Sequence, residues 1–213
     1  MDLTGSDVVA LGDTGVRAVV VVGGRRAPGV EAVLRAHLAR SAEVPADDLE
    51  FDHACSACGA RHGSPAVVYP TTASGARWYA DAAVAGPIVV AAVGTRHPLG
   101  VGVEPTDLDP SSLIDEAALH PEERARLAEL DPSARPLVRA LLWARKSALL
   151  RAVGHAGVVE PSLLALSSPV DDDGVGRIVR TLPEFGSRWE QVRLHDVAVP
   201  GRIAASVAVL PRA

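Results

Sequence analysis

Acidic residues collect at the end of one apolar segment, PLGVGVEPTD (98–107), which contains Glu104 and Asp107 and is followed by Asp109. Carboxylate oxygens are the ligands that magnesium and calcium prefer in proteins, so this turn is a candidate cation site. Such a site needs two or three charged oxygens close together, and Gly102 stands where a second carboxylate could have been. The segment therefore raises the question of a metal site that has lost a ligand, with the two aspartates as substitute ligands or as parts of a solvated turn.

Both cysteines of the chain, Cys55 and Cys58, lie in HACSACGARHG, between His53 and His62. This spacing is typical of structural zinc sites and also of thiol–disulfide redox pairs. The four candidate zinc ligands fall within ten residues, which is a tight span for tetrahedral coordination. We therefore favour a turn with two reduced thiols over a zinc site or a redox pair.

A third group of polar residues lies on a predicted helix over 131–154. Trp143, Ser147 and Arg151 share one face of this helix because they follow one another at i, i+4 and i+8, and Lys146 lies close to that face. Each also has a structural interpretation, in which Trp143 belongs to the core and Lys146 extends along its stem to solvent.

Asp81 is unusual because it is a charged residue in the apolar stretch ADAAVAG. It is either an isolated surface carboxylate or a catalytic group whose surroundings alter its titration.

The elements that would position these residues follow from periodicity and from Gly and Pro signals. We predict helices over 28–44, 120–130 and 131–154, strands over 16–24, 64–70, 77–85, 86–94, 99–104, 188–197 and 202–210, and an acidic turn over 170–177. Helices followed by strands occur in both halves, which indicates an α+β fold built from two similar units. The predicted boundary separates an N-terminal α/β half, 1–105, from a C-terminal α/β half, 106–213.

The bulk composition excludes several classes of protein. The chain has 213 residues, of which 48% are hydrophobic and 3% aromatic, and its net charge of −5 argues against nucleic-acid binding. No apolar run reaches the roughly 18 residues that a membrane span needs. The first residues lack a basic segment of the signal-peptide type, so we expect a cytoplasmic protein.

Taken in order, CGARHGSPAV, a predicted strand pair, PLGVGVEPTD and LLWARKSALLRAVGHAG resemble the motifs of the surfactin-type 4′-phosphopantetheinyl transferases. In that family they run Gly-Lys-Pro, Ser-His-Ser, Gly-Val-Asp-Val-Glu and Trp-x-x-Lys-Glu-Ala ending in Lys-x-x-Gly. The similarity covers about residues 28 to 213. It implies two pseudo-symmetric α/β halves with coenzyme A between them. The implied reaction transfers phosphopantetheine to a carrier-protein serine with the help of magnesium.

The resemblance assigns roles to residues at the matching positions. Glu104 matches the last Glu of Gly-Val-Asp-Val-Glu, and Gly102 replaces its Asp. On the predicted helix, Trp143 and Lys146 match the Trp and Lys of Trp-x-x-Lys-Glu-Ala. Ser147 replaces the Glu of that motif, and Arg151 replaces the Lys of Lys-x-x-Gly. Elsewhere, Ser64 replaces the Lys of Gly-Lys-Pro, and the Ser-His-Ser trio falls on 82–84. The resemblance thus implies catalytic Glu104, Lys146 and Arg151, with Glu104 also the metal ligand, and coenzyme contacts Ser64, Ala83, Trp143 and Ser147. Asp81, next to the trio, is added to the catalytic candidates as a relocated group.

The departures from the family pattern share one direction, the loss of charge. One carboxylate binds magnesium weakly, and Arg151 keeps its proton, so it can pair with phosphate but is a poor general base. We therefore predict a diverged transferase-like protein whose cleft binds or converts an apolar or carrier-linked metabolite.

Two alternatives remain open. One is an active transferase that uses coenzyme A and magnesium held by Glu104, Asp107 or Asp81, and the other is a non-catalytic protein that docks an acyl or peptidyl carrier. Without transferase activity no cofactor is expected, and in each case we expect a monomer.

Overall fold

Strands and helices succeed one another along the computed structural model, which describes residues 7–24, 28–55, 58–60, 62–107, 112–154 and 159–211. The helices are α1 (Val30–Ala42), α2 (Ser112–Ala118), α3 (Pro121–Glu129) and α4 (Arg135–Val153). The strands are β1 (Val8–Ala10), β2 (Arg17–Val22), β3 (Glu50–Asp52), β4 (Ala66–Thr71), β5 (Arg77–Ala85), β6 (Ile88–Gly94), β7 (Leu99–Pro105), β8 (Ala165–Leu166), β9 (Val175–Gly176), β10 (Ile178–Arg180), β11 (Arg193–Asp196) and β12 (Ile203–Val209). Short 3-10 helices span Ala46–Asp48, Pro161–Leu163 and Pro183–Gln191.

The first sheet is antiparallel, with the order β1-β2-β6-β5-β4-β3. β6 is an unbroken apolar run that is buried along its whole length, as expected for a central strand covered on both faces. One cover is α1, whose Val33, Leu34 and Leu38 pack against residues of β6 such as Val89 and Ala91. Hydrophobic burial on this face therefore fixes the helix to the sheet.

The second sheet is also antiparallel and has the order β7-β12-β11-β9, while β8 and β10 form a separate pair. β7 lies before the predicted boundary at residue 105, yet it is hydrogen-bonded along its length to β12 near the end of the chain. The last strand of the predicted N-terminal half therefore belongs to the sheet of the C-terminal half.

The two sheets share one core. Val90 and Ala92 of β6 pack in the same apolar cluster as Val101 of β7 and Val207 of β12. The alternate residues of β7 and β12 face α4, so the layers run α1, first sheet, second sheet, α4. The mixed α+β class with antiparallel sheets is thus confirmed, and the pseudo-symmetry of the halves stays a prediction.

The predicted helices and most predicted strands are present, but the strand predicted over 188–197 is wrong in its first part. Pro183–Gln191 forms a 3-10 helix, and β11 begins only at Arg193. Trp189 packs into the core beneath α4 from that 3-10 helix, so its apolar side chain is buried without strand pairing. None of the helices in the described ranges has the length and apolar character that a bilayer crossing requires.

Candidate functional site

Strand β7 and helix α4 touch backbone to backbone along a contact that we call the seam. A Cβ added to Gly102 would lie 2.8 Å from the amide nitrogen of Ala148 and closer still to the carbonyl oxygen of Ala144. A Cβ on Gly100 would meet the next turn of the helix in the same way. Neither glycine has a left-handed φ, so lack of space requires glycine at these positions. The helix backbone occupies the place of the family's first metal-binding Asp.

Glu104 and Ser147 form the polar end of the seam. Glu104 is the next residue of β7 to point toward α4, and the hydroxyl of Ser147 donates a hydrogen bond of 2.9 Å to Glu104 Oε1. Burial raises the pKa of Glu104, and this hydrogen bond partly offsets the rise. A half-buried carboxylate thus lies beside a neutral hydroxyl, at the position where the motif resemblance implies a second carboxylate.

The seam does not fit a magnesium ion. Hard cations need several charged oxygens at short range, and Glu104 is the only carboxylate matched to the family pattern. A second one cannot be supplied at Gly102, where the helix backbone is already in contact. Asp107, a possible substitute, lies instead on an open groove described below, and Asp109 lies outside the described residues.

Asp81 and Arg151 form an ion pair where β5, β7 and α4 meet, in which the carboxylate is buried and the arginine side chain is 36% exposed. Asp81 is 0% exposed, so the surface interpretation of this carboxylate is wrong. Its Oδ2 accepts hydrogen bonds from Val101 N (2.8 Å) and Arg151 Nε (2.7 Å), and its Oδ1 accepts from Arg151 Nη2. The pairing raises the pKa of Arg151. The carboxylate thus joins the first sheet to the second and to the helix, and it already balances the charge of the arginine.

Ser64 and Ala83 also lie at this junction. The Ser64 hydroxyl donates to Leu99 O at 2.8 Å, and its backbone N–H donates to Arg151 O at 3.1 Å. Ala83 is half-buried against the core between the sheets. Ser64 therefore ties the segment before β4 to β7 and to the end of α4, and neither residue offers a charge to a phosphate.

Lys146 lies on a different side of α4. Its ammonium donates to Glu123 Oε2 at 2.6 Å and to the carbonyl oxygens of Ala118, Pro161 and Leu164 at 2.8–2.9 Å. Both side chains of the ion pair are 3% exposed, so the prediction that Lys146 extends to solvent is wrong. Burial lowers the pKa of Lys146, and Glu123 opposes this. Within the described chain, none of its hydrogen bonds is with Glu104.

Trp143 is half-buried and packs against the core cluster beneath α4, as the structural interpretation expected. Arg145, two residues after Trp143, is fully buried and was not predicted as a functional residue. Arg145 pairs with Asp196 through Nε (2.9 Å) and Nη2 (2.8 Å), and with Asp172 through Nη1 (2.7 Å). The run of three aspartates at 171–173 was the available signal for this network.

Two cavities lie near opposite ends of α4. The seam cavity, of about 280 Å³, is lined by Asp81, Arg151, His53, His62 and apolar neighbours. The second, which we call the arginine groove, has a volume of about 710 Å³. It is lined by Leu127, Ala128, Pro132 and Pro136, by Arg135, Arg139 and Arg202, and by Thr106, Asp107 and Asp115.

No protein-family model matches this chain, and none of the curated proteins searched is similar to it. The site must therefore be interpreted from its own geometry and from the motif resemblance.

Proposed function

We propose that this chain is a diverged relative of the surfactin-type 4′-phosphopantetheinyl transferases that binds an apolar or carrier-linked metabolite and does not carry out magnesium-dependent transfer. One observation carries the proposal, the backbone contact at Gly102. It removes the space for a second chelating carboxylate beside Glu104.

The electrostatics of the seam support the same conclusion. Transfer from coenzyme A needs a cation and basic groups to balance charge on a diphosphate. Here Glu104 accepts from a neutral hydroxyl, and Arg151 is already neutralised by Asp81. Arg151 also keeps its proton at any working pH, so it does not suit the role of a general base.

The arginine groove supports the binding part of the proposal. Its volume of about 710 Å³ lies within the range of ligand pockets in proteins. Leucine and proline side chains offer an apolar surface beside the arginines. Arg202 is exposed and forms no ion pair with the described residues, whereas Arg139 lies 4.0 Å from Asp115. An acyl chain carried on a phosphopantetheine arm matches this pairing of apolar surface and cations.

Binding is tested with a dodecanoyl-phosphopantetheine probe and its dephosphorylated form, measured by isothermal titration calorimetry. We expect saturable binding that is more than about tenfold tighter for the phosphorylated probe, since charge-assisted hydrogen bonds to phosphate are the strong ones. Arg202→Glu should abolish this difference. Arg177→Glu, at an exposed arginine outside the groove, should leave it unchanged. Failure of both probes to bind would contradict the proposal.

The absence of transfer is tested by incubating the protein with coenzyme A, magnesium and an apo carrier protein, and weighing the carrier by mass spectrometry. We expect an unchanged carrier mass, while an active transferase modifies the same carrier in a parallel reaction. Enzyme-dependent addition of phosphopantetheine would refute the proposal and support the active-transferase alternative. Equal binding of acylated and unacylated holo carrier would instead indicate a carrier-docking protein.

A further inference from the structure

The loop before β4 brings three soft ligands together. The ligand atoms of Cys55, Cys58 and His62 all lie within 4.8 Å of one another, and Cys58 Sγ is 3.1 Å from His62 Nε2. Both cysteines are thiols. The turn therefore places two sulfur atoms and an imidazole nitrogen at the mutual distances that one tetrahedral metal ion can span.

Backbone hydrogen bonds build this convergence. Cys55 N donates to Ala60 O at 2.9 Å, and Gly59 N donates to Cys55 O at 2.7 Å, which closes a tight loop around the cysteines. Gly59 follows Cys58 directly and has a left-handed φ of 73°, which allows the chain to turn back at that point. Main-chain hydrogen bonds and the turn at Gly59 thus position the cysteines.

We propose that Cys55, Cys58 and His62 bind a soft divalent cation of the zinc class, with the fourth position open to water or an exogenous ligand. Thiolate and imidazole ligands select zinc over magnesium or calcium, and no carboxylate belongs to the cluster. Binding displaces the two thiol protons to solvent, so two thiolates balance the charge of the ion.

A zinc site with four ligands would have to draw all of them from the ten residues 53–62, which is why the sequence favoured a simple turn. His53, the fourth candidate, lies outside the cluster, and its ring instead lies 6.1 Å from the ring of Phe51. A site with three protein ligands avoids the steric difficulty, because only 55–62 must wrap the ion. Three protein ligands and an open position are typical of zinc ions that carry a water or a substrate.

The site would also support the seam. His62 lines the seam cavity together with Arg151. The next residue, Gly63, packs against the end of α4, because a Cβ added to it would lie 2.8 Å from Gly154 Cα. Ser64 then bonds to the carbonyl oxygen of Arg151. A metal ion would therefore hold the wall of the cavity against the helix terminus, and its binding should stabilise the folded chain.

The test uses the full, untagged chain, stripped of metal by a chelator under reducing conditions and titrated with Co²⁺. We expect saturation at one equivalent, with cobalt–thiolate charge-transfer absorption and the d–d bands of tetrahedral cobalt, reversed by Zn²⁺. Cys55→Ser, Cys58→Ser and His62→Ala should each weaken cobalt binding by more than about 100-fold. Losing a residue that only supports a ligand costs up to about 100-fold, and losing a ligand itself should cost more. His53→Ala is the matched control and should keep wild-type affinity.

Zinc should raise the melting temperature of the wild type and of His53→Ala, and should leave that of the three ligand variants unchanged. Circular dichroism establishes that those variants are folded. Wild-type protein without the cobalt–thiolate bands would overturn the proposal, as would equal loss of binding in His53→Ala and His62→Ala. Thiol trapping that finds a Cys55–Cys58 disulfide in protein purified without reductant, where air is the oxidant, would also overturn it, in favour of a redox pair.

Discussion

The two polar sides of helix α4 differ in how they use charge. Toward β7, the helix presents backbone against glycine, Ser147 against Glu104, and a single ion pair between Arg151 and Asp81. Away from β7, Arg145 and Lys146 are buried among carboxylates of the C-terminal half. One helix thus carries a nearly neutral, closely packed seam and a strongly charged anchoring side.

This difference bears on the proposal that the chain does not carry out magnesium-dependent transfer. Buried charges persist where a partner and several hydrogen bonds satisfy them, as on the anchoring side. At the seam, where catalysis would need unsatisfied carboxylates and cations, each charged group already has an internal partner. The seam is therefore a packing contact in which each charge of the described residues is already matched.

The largest effect is expected from Gly102→Asp, which introduces the carboxylate that the motif resemblance implies at this position. The new side chain would overlap the helix backbone at Ala144 and Ala148, which cannot move aside as a flexible side chain could. Overpacking costs typically 1–3 kcal/mol and occasionally more, and a buried unpaired carboxylate adds about 3 kcal/mol or more, so we expect loss of the cooperative thermal transition.

Gly24→Asp is the matched control, since nothing lies within 4 Å of its added Cβ and its φ is not left-handed. It should change the free energy of unfolding by less than about 0.5 kcal/mol. A stable Gly102→Asp protein that gains magnesium binding would show that the seam can open.

On the anchoring side, Lys146→Met should cause the next largest loss in the free energy of unfolding. Glu123 would remain buried without its cation, and removing one partner of a buried pair costs about 3–5 kcal/mol. The double variant Lys146→Met, Glu123→Gln removes both charges and keeps an acceptor for Leu166 N, so it should recover part of that loss in chemical denaturation. If the single variant were as stable as the wild type, the ion pair would not anchor the helix.

Asp81→Asn tests the seam pair. Asparagine keeps an acceptor for Val101 N but removes the charge that pairs with Arg151. Hydrogen bonds to charged groups contribute about 1.5–3 kcal/mol, and we expect a loss in this range by urea denaturation. Asp47→Asn, at an exposed aspartate, serves as the control and should have little effect. Stability equal to that of the wild type would favour a functional role for Asp81 over a structural one.

The elements with long periodic patterns could be predicted from the sequence. The apolar spacing over 131–154 and the terminal Gly154 predict a helix that the structure places at Arg135–Val153. Strands of three residues, such as β1 and β3, could not be predicted, because pairing with neighbouring strands defines them. Helix α2 was likewise missed.

The sequence predicted which residues belong to the candidate site, but not which of these side chains contact one another. Asp81 and Arg151 are 70 residues apart, and the pairing of β5 with the end of α4 is set by the packing of whole sheets. Lys146 did carry an unused signal, because it is the only lysine in a chain whose other fixed cations are arginines. A compact ammonium donates in several directions from one atom, so it fits a narrow space between one carboxylate and several carbonyls better than a planar guanidinium does.

The smallest expected effect is the pH dependence removed by Glu104→Gln. Burial raises the pKa of Glu104 above its ordinary value of 4.5, so the folded chain binds this proton more tightly than the unfolded chain does. The free energy of unfolding therefore falls as the pH rises from 4.5 through the folded-state pKa, and below 4.5 this penalty is absent. Glutamine keeps an oxygen to accept from Ser147 but has no charge to bury.

The variant should accordingly be more stable than the wild type at neutral pH, and this advantage should disappear as the solution is acidified. Urea denaturation at a series of pH values measures the difference directly. Glu129→Gln, at an exposed glutamate, should show no comparable trend. If Glu104→Gln were instead less stable at neutral pH, the carboxylate would be held by a favourable partner. The seam would then be a charged site like the anchoring side, rather than a neutral packing contact.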